Sequence, residues 1–216
     1  MTKTKSTPAE PVQERSRQTM NRILDAAEAL LKTSSIDRIG IAEITASAGV
    51  AAGSFYTRFA DKEDLLEKLF ERYLDDLRSV AAEIEPELVA EPVLEKRLAR
   101  VIDAVTGLFA TRRGVVRSML MKIRHDPDYQ SPELMNEFQA FYDRAGELLV
   151  GDGSEVKAQD KAAAGRFCMQ IIASYCRDAI LFEEFPVQMN TPSRNPAFKS
   201  ALYKACLGVL EVQGSD

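Results

Sequence analysis

The side chains able to carry out covalent or acid–base chemistry are few and scattered. The chain has one histidine, His125, followed by Asp126; with no second histidine to share a metal ion or relay a proton, it reads as a structural or surface residue. Three cysteines, Cys168, Cys176 and Cys206, form no C-x-x-C pair, which argues against a disulfide framework and a zinc site alike and leaves them as small buried hydrophobes. No nucleophile with its base, no carboxylate dyad and no metal-ligand spacing can be assembled, so neither an enzyme nor a metal or cofactor is expected. The informative stretch is instead 39–62, which carries Gly49, Gly53, the hydroxyls of Ser54, Tyr56 and Thr57, and the cations Arg58 and Lys62. What these groups can do depends on how the backbone presents them.

Apolar residues recur at three- and four-residue spacings along the whole chain, and alternation of period two is almost absent, so an all-α fold of about nine helices is expected. The first helix is predicted over 13–33, with Met20, Ile23, Ala27, Leu30 and Leu31 on one face. Two short helices follow, over 41–48 and 52–58, with Gly49 suited to the left-handed turn between them. Asp61 is placed to cap a long fourth helix running to about residue 83, and the acids beside it suit the positive helix start. Pro86 and Pro92 mark a joint, after which helices are expected over 92–111, 114–124, 133–150, 155–182 and 195–213. A helix of one or two turns is unstable alone, so both short helices must pack on the first and fourth. Such an arrangement serves chiefly to hold its second short helix outward, where its side chains can enter the major groove of DNA.

Charge fits that reading only locally. The net charge is -5, unfavourable for a nucleic-acid binder, yet residues 1–62 carry a net charge of about +2 and the remainder about -7. The first segment alone can approach DNA without strong repulsion, helped by local clusters such as Arg15, Arg17 and Arg22. No apolar run approaches the roughly 20 residues of a membrane span, and residues 1–11 lack the apolar block of a secretory signal, so a cytoplasmic protein is expected.

The run from Gly49 to Leu66, GVAAGSFYTRFADKEDLL, preceded by Ile23-Leu24-Asp25-Ala26-Ala27 and Ile44, resembles the signature of the TetR family of transcriptional regulators. The resemblance covers about residues 17–77 and is specific because Gly, Tyr, Phe and Lys fall at fixed offsets; the rest is similar only in being helical. It implies a helix-turn-helix DNA-binding domain over 13–61 after a flexible tail, 1–12, a linking helix over 62–83, and a ligand-binding and dimerisation domain over 84–216. The resemblance further implies that Phe55 and Phe59 pack inside, that Tyr56 and Lys62 bind phosphates, and that Gly53 lets the helix approach the DNA backbone. Base reading falls to Ala52, Ser54, Thr57 and Arg58; Arg58 can grip guanine or hold only phosphate. Arg15 and Arg17 can reach the minor groove as an arm or belong to a charged tail. Departures from the family pattern are Gly40 at a capping position, Ala51 where serine is frequent, and Ala52 in place of a common lysine, which weakens the expected phosphate contact.

For the C-terminal part the resemblance implies a ligand cavity, with Phe109, Met119, Ile123, Phe138, Phe141, Tyr142 and Tyr175 as candidate lining, although methionines and aromatics at helical spacing are more often ordinary core. It also implies a two-fold four-helix bundle built from the last two helices, with Gly165, Phe167, Met169, Ile172, Ala173, Leu202, Ala205 and Val209 at the interface. The expected function is a homodimeric repressor of a near-palindromic operator, released from double-stranded DNA when an unidentified small molecule binds and shifts helix four. The competing reading is a helical dimeric ligand-binding or interaction protein of the same fold that no longer binds DNA.

Overall fold

The computed structural model describes residues 9–126, 129, 132–181 and 196–211. Among these there is no strand, and nine α-helices follow one another: α1 Ala9–Leu31, α2 Ile41–Ala48, α3 Gly53–Tyr56, α4 Lys62–Ala90, α5 Leu94–Thr111, α6 Arg113–His125, α7 Pro132–Val150, α8 Lys161–Leu181 and α9 Pro196–Val209. The fold is all-α. The chain divides into two compact units, Met1–Tyr73 and Leu74–Asp216.

The first unit is built around the apolar face of α1. Ile23, Ala27 and Leu31 are fully buried, whereas Met20 and Leu30, expected on the same face, are half-buried at its margin. Ile39, Ile44, Phe55, Phe59, Leu65, Leu66 and Leu69, each at most 1% exposed, complete the core of the unit, with α2 packed on α1. Removing that apolar area from water is what allows helices as short as α2 and α3 to persist. The start of α4 is capped as its sequence predicts: Asp61 Oδ1 accepts from the backbone N–H of Glu63 at 2.8 Å and of Asp64 at 2.9 Å. The Asp64 carboxylate in turn accepts from the Ala60 N–H at 3.0 Å. Arg72 ties α4 to α1, donating to Asp25 at 2.7 Å, Glu28 at 3.3 Å and Asn21 at 2.9 Å.

Several boundaries differ from expectation, α1 starting at Ala9 instead of 13 and α9 ending at Val209 instead of 213, and two of the differences have a visible cause. Helix α4 runs through Pro86 to Ala90 instead of ending near residue 83. A proline inside a helix loses one backbone hydrogen bond and crowds the preceding turn, but Ile84 and Leu88 on either side are buried. Ion pairs of Glu85 with Arg144 and of Glu87 with Arg100 hold the same turn. Helix α8 begins at Lys161, not 155, because Asp160 caps it, its carboxylate accepting from the Ala163 N–H at 2.9 Å.

The second unit is organised on α8, which packs against α5, α6, α7 and α9. Helices α7 and α8 meet at a pair of glycines so close that a Cβ on Gly165 would stand 2.5 Å from the Gly146 carbonyl oxygen. The end of α7 is closed by Arg97 of α5, which is 3% exposed. Its guanidinium donates to the carbonyls of Leu149 at 2.9 Å, Val150 at 3.2 Å, and Glu91 and Pro92 at 2.8 Å each. The Glu155 carboxylate, 3.6 Å from Arg97, accepts from the Leu94 N–H and so caps the start of α5. All three cysteines are free thiols buried in this unit. Burial pushes the Cys176 thiol up to about 11, against a weaker opposing hydrogen bond to Thr106.

Candidate nucleic-acid interface

The helix-turn-helix turns on Gly49, whose φ of 63° and ψ of 41° put it in the left-handed region. Its N–H donates to the Ala46 carbonyl at 3.0 Å, and the Val50 N–H donates to Thr45 at 3.0 Å, so the end of α2 is closed by backbone alone. A side chain at Gly49 would be strained by that φ and would also meet the Arg22 guanidinium at 2.8 Å. Arg22 uses the space to donate to the Gly49 carbonyl at 2.9 Å, binding the turn to α1. In the sequence Arg22 shows only as one basic residue of a cluster; nothing in its spacing signals this partner.

Helix α3 is a single turn, shorter than the 52–58 expected. Its flanks keep helical dihedrals at Ala52 and Thr57, and the Arg58 and Phe59 N–H groups both reach the Phe55 carbonyl, at 2.8 and 2.9 Å. Phe55 and Phe59 face inward with ring centroids 5.2 Å apart, and both are at most 1% exposed. The opposite face is open. Ala51, Ala52, Gly53 and Thr57 are exposed, Ser54 is half-buried, and Tyr56 is 63% exposed with its ring edge-on to Phe55. A Cβ on Gly53 would meet nothing within 4 Å.

The cations sit differently. Arg58 folds back over its own turn, donating from Nη1 to the Ser54 carbonyl and to Thr57 Oγ1 at 2.8 Å each. From Nε and Nη2 it reaches the carbonyl and hydroxyl of Ser16, at 3.3 and 3.4 Å. Gripping a guanine edge would require it to leave these bonds. Lys62 does not project beside the first N–H groups of α4: its ammonium donates to the carbonyls of Ile36, Asp37 and Ile39 at 2.9, 3.0 and 3.1 Å. Arg15 and Arg17 are exposed but lie within α1, which corrects both expectations, the extended arm and the charged tail. Side-chain pairs one turn apart, Arg17 with Glu14 at 2.8 Å and Gln18 with Glu14 at 3.1 Å, favour helix over an extended arm.

Residues 23–69, most of this unit, match the family model described as bacterial regulatory proteins, tetR family. This segment is similar to the tetR family. The fold of the chain is also that of a protein from Mesorhizobium loti MAFF303099 described as a TetR-family transcriptional regulator, at 15% identity and a TM-score of 0.62, covering 91% of this chain and 95% of that one. It is shared by the TetR-family regulator PfmR of Thermus thermophilus (18% identity, TM-score 0.58, 90% and 100% covered). The regulator FadR of Bacillus subtilis, solved with stearoyl-CoA, gives 20% identity, a TM-score of 0.55, and 90% and 98% coverage. No curated protein matches the sequence.

In the second unit the expected ligand residues lie apart. Phe109 and Met119 are buried in the core, at 6% and 3% exposure; Ile123, Phe138, Phe141, Tyr142 and Tyr175 are half-buried. Tyr175 stacks on Phe198 at 4.9 Å, and Phe141 meets Tyr142 edge-on at 5.9 Å. An open cavity of about 540 Å³ lies between α7 and α8, lined by Gln139, Tyr142, Arg166, Gln170, Ser174 and Arg177 among others. Of the expected ligand residues it includes only Tyr142, whose hydroxyl is pushed above its ordinary value by burial in spite of Arg177. The expected interface set divides likewise: Gly165, Met169, Ile172, Ala173 and Leu202 are buried within the unit's own packing, Phe167 and Ala205 are exposed, and Val209 is half-buried. Among the described residues no group of three or more His, Cys, Asp or Glu side chains could hold a metal ion, and no helix is long and apolar enough to cross a membrane.

Proposed function

We propose that this protein is a homodimeric, effector-released repressor that binds a near-palindromic operator in the cytoplasm. The observation that carries the reading is the open face of a braced helix-turn-helix: Ala52, Gly53, Tyr56 and Thr57 point away from the unit while Phe55 and Phe59 fix it from behind. Residues 13–61 form the DNA-binding part, 62–83 the linking part of α4, and 84–216 the effector and dimer part. Tyr56 donates its hydroxyl to a phosphate, Ala51 and Gly53 allow close approach of the backbone, and Ala52, Ser54 and Thr57 meet base edges. Arg15 and Arg17 add phosphate contacts from the exposed side of α1.

Dimerisation through α8 and α9 is supported by exposed Phe167 on α8 and by the exposed small residues Ala201, Ala205 and Gly208 on α9, which suit close approach of a second copy. Two reading heads then fall one helical turn of DNA apart or a multiple of it. Effector binding in the second unit shifts the population towards a dimer with wrongly spaced heads through α4, a single helix from Lys62 to Ala90. FadR, with its bound stearoyl-CoA, is the neighbour that supports a small-molecule effector for this chain.

The second reading, a dimer that has lost DNA binding, draws on Arg58 and Lys62 being engaged within their own unit. Selection of a preferred duplex from a random DNA pool separates the two. A repressor returns a near-palindromic consensus whose affinity falls steeply with salt, and a compound screen then finds ligands that release it. Failure to enrich any duplex at low ionic strength overturns the proposal.

A further inference from the structure

The Lys62 ammonium has three N–H donors, and three backbone carbonyls receive them at 2.9–3.1 Å. Those carbonyls belong to one short helical turn, in which the N–H groups of Arg38 and Ile39 both bond back to the Ser35 carbonyl, at 3.1 and 3.2 Å. The carbonyl end of such a turn carries partial negative charge, and a cation there is favourable. The turn leads directly into α2: Ile39 is 1% exposed in the core and Gly40 is the residue at which α2 starts. Lys62 itself follows Phe59 of the reading segment by three residues. Its side chain therefore joins the point where α2 begins to the point where the reading segment ends.

Neither short helix can hold that relationship alone. Gly40 and Ala52, at their N-termini, make no side-chain capping bond, so beyond their buried faces these helices are held by bonds from other elements, Arg22 at the turn and Lys62 at the start of α2. For Lys62 to bind a DNA phosphate, all three carbonyls would lose their partner, whereas Tyr56 is already exposed.

We propose that Lys62 is a positioning residue for DNA reading: it sets α2 and the reading segment relative to each other by binding the 36–39 carbonyls, and it neutralises no phosphate. This rests on the DNA-binding reading above. The probes are the full-length protein, the duplex it selects from a random pool, and a scrambled duplex of equal length. Lys62→Met keeps the aliphatic stem and removes the donors. Expected results are a fall of about tenfold or more in affinity for the selected duplex, a smaller fall for the scrambled one, and an unchanged slope of log affinity against log salt. A phosphate ligand would instead weaken both duplexes alike and reduce that slope by about one per subunit; that result overturns the proposal, as does wild-type affinity in a folded variant. Should Lys62→Met fail to fold, Lys62→Gln decides, since it keeps N–H donors without the charge: an unchanged slope supports positioning and a reduced one refutes it. If the wild type binds no duplex, the DNA-binding reading itself has failed, which is a separate outcome.

Discussion

Replacing Gly165 by alanine tests whether that residue serves the subunit's own packing or a second subunit. The added Cβ would stand 2.5 Å from the Gly146 carbonyl oxygen and 2.8 Å from Val150 Cγ2. The oxygen belongs to helical backbone and cannot turn aside, so α7 and α8 must separate by about 1 Å to restore ordinary contact. Overpacking of this kind costs about 1–3 kcal/mol, and the better helix propensity of alanine returns up to about 1 kcal/mol. The net loss is about 1–2 kcal/mol, or roughly 2–8 °C in the melting temperature of a unit this size. Gly208→Ala on α9 is the control: nothing lies within 4 Å of its added Cβ, so in the isolated subunit it gains up to about 1 kcal/mol from propensity. Urea denaturation followed by circular dichroism, together with sedimentation at several protein concentrations, reads both. A Gly165→Ala protein of wild-type stability whose dimer dissociates more readily would refute the argument and return Gly165 to the interface.

Three further expectations follow from the geometry. Arg97→Met leaves four backbone carbonyls at the α5 and α7 ends without their donor and should cost about 3 kcal/mol or more, visible as an early-melting second unit; a loss under about 1 kcal/mol would show that water replaces the guanidinium freely. Tyr56→Phe keeps the ring against Phe55 and removes only the hydroxyl, so affinity should fall about tenfold on every duplex with no change in salt slope; equal binding would remove Tyr56 from the phosphate contacts. Cys176 ionises at about 11 in the folded chain against an ordinary value of 9.0, so the unfolded chain loses its proton first as pH rises. Stability is intact below about pH 9 and declines by up to about 3 kcal/mol by about pH 11, a loss that Cys176→Ala should lessen in denaturant titrations.

The parts of the fold visible in the sequence were those set by local pattern. The stripe Ile23, Ala27 and Leu31, the left-handed turn at Gly49, the inward pair Phe55 and Phe59, and the Asp61 cap each follow from spacing or from one residue's conformational preference. The second unit shows where pattern stops. Met169, Ile172 and Leu202 have the periodicity of a buried face, but periodicity does not say whether the covering surface belongs to the same chain or to another. Arg97 reads as an ordinary surface charge because its four acceptors lie on backbone that becomes adjacent only on folding. Lys62 is the same case at the candidate site: its position in the motif is plain, while its partners lie 23–26 residues upstream. Pro86 misled in the other direction, since a helix breaker is overruled once the turns on both sides are packed and ion-paired.

Under the proposed function, the open surface at Ala52 and Gly53 also bears on how the protein could change its target. A residue whose side chain stands in solvent can be exchanged for many others without altering the interior, so variation there would leave folding largely untouched while rewriting what is read. New operators are thus within reach of single substitutions, and libraries randomised at these two sites should return mostly folded proteins.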